Sequence, residues 1–325
     1  MKKLSIIVPV YYNEQSLPPL FDELERVEAG LRDRGMAMEL IFVDDGSRDG
    51  SFVELLNIRR RRPATKLIRL TRNFGAVLAS GTGMRYVSGD CFVVIAADLQ
   101  DPPTLVLEMV DHWLRGTRFV ICVRRSRQDP PLTKTLAWLY YQLLRKLVVA
   151  DYPSTGFDMA LMDRSMLPHM LASGKNVHPT IYAYSLGFEC QTILYDRRQR
   201  KHGRSRWTLL KKLKLFSDSF LGFSPFPLRL VAMIGLGMAT LSGCYGLSVG
   251  VNALAGNRPV PGFATLIVLL SCLLSVMIAM LAIIGEYLWR VFEQVSPRPQ
   301  VVIDTELLNA AEEEPSCQLA LRKSA

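Results

Sequence analysis

The densest chemistry in the chain lies in Asp98-Leu99-Gln100-Asp101-Pro102-Pro103. The oxygen-bearing side chains of Asp98 and Gln100 stand two positions apart, directly after an apolar run from Cys91 to Ala96. If that run is a strand, both side chains face one site. Hard oxygen donors in this pattern suit Mg²⁺ or Mn²⁺, which take oxygen ligands and share them with substrate phosphates. The same residues also read as a helix start, with Asp101 as the cap and Pro102 in the first turn. The two readings are compatible, with Asp98 and Gln100 on a metal and Asp101 on the cap. A second acidic group, Asp44-Asp45-Gly46-Ser47, follows another apolar run. Acidic residues before Gly and Ser make turns, and an Asp at a strand end also suits a nucleobase or a ribose. The chain contains neither G-x-G-x-x-G nor G-x-x-x-x-G-K-S/T, so neither a dinucleotide fingerprint nor a P-loop is present in its usual form.

These groups need elements to position them. Leu4 to Val10 is apolar and β-branched, and it predicts a strand. Ser16 to Arg34 has helical spacing through Leu17, Leu20, Leu24, Val27 and Leu31. Further strands are predicted over Glu39–Val43, Lys66–Leu70, Cys91–Ala96 and Phe119–Val123, with a helix over Gly75–Val87. Strands alternating with helices predict an α/β fold whose mostly parallel sheet carries helices on both faces. Ligands of such sheets bind at the carboxyl ends of the strands. The polar motifs fall there: Tyr11 to Glu14, Asp44 to Ser47, Arg72-Asn73, Asp98 to Asp101, and Arg124-Arg125.

The rest of the chain is of another kind. Leu230 to Val251 and Gly262 to Gly285 carry no charge. Each is long enough to cross a hydrocarbon core of about 30 Å as a helix. The N-terminus does not read as a signal peptide, because its apolar run is short and ends at Pro9. The net charge is +9. Nucleic acid is one partner for such a charge, but the basic residues concentrate before the first apolar run, among them Arg197, Arg198, Arg206, Lys211 and Lys214. Basic flanks stay cytoplasmic and attract anionic lipid, so membrane lipid is the expected partner and nucleic acid is not. Four segments follow: a cytoplasmic catalytic domain over 1–207, an amphipathic interfacial helix over 208–226, two transmembrane helices within 227–291, and a cytoplasmic tail over 292–325 that is expected to be flexible after Val295. Such a chain sits in the plasma membrane with both termini cytoplasmic. Six scattered cysteines form no Cys-x-x-Cys pair, which argues against a disulfide framework or a zinc site.

Leu4 to Glu14, Val43 to Ser47 and Ala97 to Pro103, in this order, resemble the family-2 inverting glycosyltransferases of GT-A fold. Arg72-Asn73-Phe74-Gly75, Val123 to Asp129, His202 to Trp207, Pro227-Leu228-Arg229 and Arg298-Pro299 are similar to the polyprenyl-phosphate branch, typified by dolichol-phosphate-mannose synthases and bactoprenol glucosyltransferases. The resemblance implies that Pro9, Tyr11 or Tyr12, Glu14 and Asp45 hold the nucleoside. It implies Asp98 and Gln100 on the metal, and Arg124 and Arg206 on phosphates, with Arg72 also in the nucleotide-sugar site. Asp158 matches a position where the family can carry an acid assigned as base; otherwise it reads as a surface-loop Asp. Two departures stand out. Ala96 replaces an acid the family often carries, which shifts the metal onto Asp98, Gln100 and the diphosphate. Gly203 replaces the Gln that Gln-x-x-Arg-Trp of processive synthases would need before Arg206-Trp207.

The resemblance therefore implies transfer of a sugar from a nucleotide-sugar, a UDP-sugar by preference, to a polyprenyl phosphate. The product would serve cell-envelope glycan or lipid modification. A second copy of the chain is a further candidate partner. Two rival readings stand beside this one: a membrane enzyme that glycosylates a glycan or protein, and an inactive nucleotide-sugar-binding scaffold.

Overall fold

The computed structural model describes residues 1–125, 131–173, 178–199, 219, 226–255, 262–296 and 299–308. The chain divides into two compact units, Met1–Leu215 with Arg298–Ala325, and Phe216–Pro297. In the first unit, β1 (Lys2–Val10), α1 (Leu17–Asp33), β2 (Met36–Asp44), α2 (Ser51–Arg61), β3 (Lys66–Leu70), α3 (Ala76–Met84) and β4 (Cys91–Val94) alternate as expected. They are followed by α4 (Leu105–Leu114), β5 (Phe119–Arg124), α5 (Pro131–Leu147), β6 (Phe157–Asp163), α6 (Leu167–Leu171), α7 (Pro179–Ser185) and β7 (Cys190–Tyr195). The second unit holds α8 (Phe226–Leu254) and α9 (Phe263–Val295), after which β8 (Ile303–Leu307) belongs to the first unit again.

One eight-stranded sheet has the order β7-β5-β6-β4-β1-β2-β3-β8. The pairs β1–β2, β1–β4, β2–β3 and β5–β7 are parallel, whereas β6 runs against β4 and β5, and β8 runs against β3. The expected mostly parallel sheet with helices on both faces is therefore the architecture, with three antiparallel pairings that the periodicity did not reveal. Side chains of a strand alternate between faces. Leu4, Ile6, Val8 and Val10 of β1 point to the face covered by α1, α2 and α4, where Leu17, Leu20, Leu24, Val27 and Leu31 of α1 are fully buried. Ile7 points to the other face, against α3. There a Cβ on Gly83 would sit 2.5 Å from Ile7 Cγ2 and 3.1 Å from Val43 Cγ2. Burial on both faces explains why β1 reads as a continuous apolar run rather than an alternating one.

The tail expected to be flexible after Val295 is corrected in part. Ile303–Leu307 forms the edge strand beside β3, and its burial alternates residue by residue. Thr71 N–H donates to Val302 O at 3.1 Å. Tyr86 Oη donates to Glu306, and Arg59 donates to the Leu307 carbonyl. The alternation of Ile303, Thr305 and Leu307 with acidic residues is the strand signal, obscured by the neighbouring prolines and the acidic end.

In the second unit, Arg229–Ser248 and Cys272–Trp289 are long and apolar enough to cross a membrane, and 6% and 0% of these windows are buried. Gly235 of α8 lies where a Cβ would meet the Met280 methyl of α9 at 2.5 Å, so the missing side chain lets the two helices approach. Arg206, the acidic end at Glu312–Glu314 and, except for Ser219 and Phe226, the interfacial helix expected over 208–226 lie outside the described residues.

Candidate active site

The sheet order β5-β6-β4-β1-β2-β3 brings the sequence motifs side by side at one end. Val10 and Asp44 are register partners, and Asp45 N–H donates to Val10 O at 2.8 Å. The loop after β1 lies against the loop after β2. Tyr12 N–H donates to Ser47 Oγ at 3.1 Å, Asn13 N–H to Ser51 Oγ at 2.8 Å, and Gly50 N–H to Glu14 Oε2 at 2.9 Å. These bonds hold Tyr12 at φ +56°, a left-handed conformation that disfavours a residue with a side chain. The Tyr11 and Tyr12 rings meet edge to face at 4.7 Å. Pro9, Tyr11, Tyr12 and Glu14 are thus gathered at the mouth of β1 and β2.

Asp45 has a structural task as well. Its two oxygens accept N–H bonds from Phe74 at 2.7 Å and Gly75 at 2.9 Å, tying the Arg72–Gly75 loop to the end of β2. Each oxygen keeps lone-pair capacity for a ligand. Gly46, at φ +68°, lies so close to this loop that a Cβ would be 2.5 Å from the Arg72 carbonyl carbon. Arg72 lies over the Phe74 ring at 4.8 Å. Beneath, Asp44 is fully buried; its Oδ1 accepts Ser47 N–H at 3.1 Å, while its Oδ2 has no hydrogen bond and stands 3.5 Å from Arg69 Nε. Burial pushes the Asp44 carboxyl up, and the bonds from Ser47 offset this only in part. Burial raises Asp45 likewise, against the Phe74 and Gly75 N–H groups.

Asp98 and Gln100 follow β4, both half-buried. Gln100 N–H donates to Asp98 Oδ1 at 3.2 Å, and Leu99 between them sits at φ +59°. The donor set fits a hard divalent cation. Among the described residues no group of three or more His, Cys, Asp or Glu side chains gathers to hold a metal; a cation at Asp98 and Gln100 would share its other positions with water and substrate oxygens. Asp101 departs from expectation. It is not a helix cap: α4 begins at Leu105 with Thr104 before it. Asp101 is instead 3% exposed and accepts the Tyr195 hydroxyl at 2.5 Å.

Asp158 lies on β6 rather than in a surface loop, beside the end of β5. It pairs with Arg124, and Arg197 Nη2 stands 3.8 Å away. Arg124, expected on a phosphate, is therefore engaged by Asp158. Arg197 and Arg198 were expected as membrane flank, yet they bind within the first unit. Arg197 pairs with Asp101, and Arg198 Nη1 reaches Glu23 Oε1 at 2.6 Å. Tyr195 gives no signal in the sequence beyond its place in a short strand.

Residues 5–171 match the family described as Glycosyl transferase family 2. An uncharacterized glycosyltransferase of Synechocystis sp. is 32% identical over 304 residues, 93% of this chain and 94% of its own. An SfII prophage-derived bactoprenol glucosyl transferase of Shigella flexneri is 28% identical over 303 residues, 93% of this chain and 97% of its own. The solved mannosyltransferase PcManGT of Pyrobaculum calidifontis, in complex with GDP-Man and Mn²⁺, overlays 86% of each chain at 19% identity with a TM-score of 0.45. With the family match over more than half of its length and a relative of that identity along nearly all of it, the chain belongs to glycosyltransferase family 2.

Proposed function

We propose that this glycosyltransferase moves a sugar from a nucleotide-sugar, a UDP-sugar by preference, to a polyprenyl phosphate at the cytoplasmic face of the plasma membrane. The observation that carries the reading is that one chain joins a family-2 catalytic sheet to two membrane-length helices and then returns to the same sheet. β7 precedes these helices and β8 follows them, and both strands belong to the one sheet. A hairpin of two spans that returns the chain to the cytoplasmic side is the topology proposed. The relative named a bactoprenol glucosyl transferase aligns over 93% of the chain, which supports a lipid-linked acceptor.

The acceptor phosphate is already ionised near neutral pH, with a second pKa of about 6. It needs alignment more than deprotonation. Its oxygen attacks the anomeric carbon in line as the bond to the nucleoside diphosphate breaks, which inverts the centre. When bound at Asp98 and Gln100, Mg²⁺ or Mn²⁺ would neutralise the departing diphosphate. Pro9, Tyr11, Tyr12, Glu14 and Asp45 line the nucleoside end, near Arg72. Arg124 and Arg206 supply positive charge for phosphate. Asp158 faces the reacting centre, compensated by arginine until phosphate enters.

Membranes given radiolabelled UDP-sugars and polyprenyl phosphate should move label into a butanol-extractable lipid. Label in protein or insoluble glycan instead would assign another acceptor. Ala96, exposed at the end of β4, leaves the site one acid short. It keeps a second reading in play, a nucleotide-sugar binder without turnover, for which the purified protein would retain labelled UDP-sugar while this assay gives no product. For topology, a cysteine introduced at Gly256 should react with an impermeant maleimide from outside. A cysteine at Thr208 labelled from outside would overturn the orientation.

A further inference from the structure

Five side chains at the carboxyl end of the sheet close a ring. Tyr195 Oη donates to Asp101 Oδ1 at 2.5 Å. The Arg124 guanidinium lies against the Tyr195 hydroxyl and pairs with Asp158. Arg197 spans back from Asp158, at 3.8 Å, to Asp101, at 3.2 Å. The contact of Arg197 Nε with Asp101 is ionic rather than an aligned hydrogen bond. Two carboxylates and two guanidiniums cancel, and the ring draws on the turn after β4, on β5, on β6 and on the end of β7.

The backbone follows the same path. Arg198 N–H donates to Gln100 O at 2.9 Å, and Arg125 N–H donates to Tyr195 O at 3.0 Å. The end of β7 thus grips the Asp98–Asp101 turn twice, by the Asp101 side chain and by the Gln100 carbonyl. That turn needs a grip, because Leu99 at φ +59° is a conformation that relaxes once its surroundings stop enforcing it. Burial and the Asp101 carboxylate push the Tyr195 phenol well above its usual range, so it keeps its proton and stays a donor.

We propose that Tyr195 and Arg197 are positioning residues for the metal turn: through Asp101 they set the angle at which Asp98 and Gln100 present their oxygens, and they lock that turn to Asp158. The inference rests on the reading that Asp98 and Gln100 take a divalent cation. Groups that orient metal ligands without touching the metal typically change its affinity or the activity by about 10- to 100-fold when removed.

The test uses the full-length protein in detergent. Mn²⁺ binding is followed by the loss of its free electron-paramagnetic-resonance signal with UDP or GDP present, and Mn²⁺ activation of turnover is measured in parallel. Tyr195→Phe keeps the ring and removes only the hydroxyl. It should raise the Mn²⁺ dissociation and activation constants about tenfold, with kcat at saturating Mn²⁺ within about twofold of wild type. Arg197→Gln should shift both constants at least as far, and Arg197→Lys should recover part of the shift by keeping a cation. The Arg197 pair decides the matter if Tyr195→Phe does not fold. Variants with lowered Tm but wild-type Mn²⁺ curves would reduce the ring to scaffolding and overturn the inference alone. A wild-type enzyme that binds no Mn²⁺ and turns over fully in EDTA would overturn the metal reading, and this inference with it.

Discussion

The two ends of the sheet treat buried acid in opposite ways. At the amino end, Glu39 of β2 is 8% exposed and satisfied by the protein itself. It accepts Ser5 Oγ and Ser88 Oγ at 2.6 Å and Ser88 N–H at 2.9 Å, and pairs with Lys66 Nζ at 2.8 Å. Burial works against its ionised form, but the bonds from Lys66, Ser5 and Ser88 outweigh it and hold the carboxyl below its usual range. Nearby, Trp113 Nε1 donates to Asp163 at 2.9 Å and Lys3 N–H donates to Asp90 at 2.7 Å. At the carboxyl end of the same strand, Asp44 and Asp45 are raised by burial, Asp44 Oδ2 lacks a hydrogen bond, and Tyr12 and Leu99 hold left-handed backbone. One end spends its polar groups on stability. The other keeps strain and an unpartnered carboxylate oxygen, features on which the proposed ligand site rests.

The largest expected effect separates the ends by readout. Asp98→Ala should lower turnover about 100-fold or more, as removing one preorganised electrostatic group does, with Tm close to wild type. Glu39→Ala should do the reverse. It strands Lys66 and two serines without their partner at a cost of about 3 kcal/mol, while the folded fraction turns over normally. Comparison of Tm and active-fraction kcat checks both, and a folded Glu39→Ala protein without activity would break the distinction.

A smaller effect comes from two glycines of nearly equal φ. Gly46 at φ +68° faces the Arg72 backbone, whereas Gly35 at φ +67°, just before β2, has nothing within 4 Å of its built Cβ. Gly35→Ala should cost about 1 kcal/mol, the strain of a left-handed residue. Gly46→Ala adds a backbone collision and should cost at least about twice that, with loss of nucleotide binding. Chemical denaturation measures both, and equal costs would show that the close approach at the carboxyl end carries no weight.

The smallest effect is on acid stability. Glu39 is depressed below its ordinary value of 4.5, so its contribution is complete above that pH and lost as pH falls through the folded value. Asp44 and Asp45 run the other way: their contribution is present below their ordinary 3.8 and lost as pH rises through their higher folded values. Glu39→Gln should therefore flatten the fall of Tm between about pH 5 and about pH 3. Parallel acid limbs for variant and wild type would remove Glu39 as the source.

By itself the sequence determined what is periodic and local. Continuous apolar runs named β1 to β5, the spacing of Leu17 to Leu31 named α1, and charge-free stretches named the two membrane-length helices. Because motifs at the ends of parallel strands must share an edge, they also placed Pro9, Tyr11, Glu14, Asp45, Asp98 and Gln100 at one end of the sheet. Tertiary structure alone decided the partners of these groups. Asp101 reads as a cap by its position before two prolines, yet the approach of β7 turns it inward to Tyr195. Arg197 reads as a membrane flank by composition, yet its reach to Asp101 and Asp158 assigns it to the sheet. Ile303–Leu307 reads as a tail until β3 offers it an open edge. Local pattern reports which face of an element is buried; which charge meets which depends on contacts between residues far apart in the chain and on different strands, and no periodicity records those.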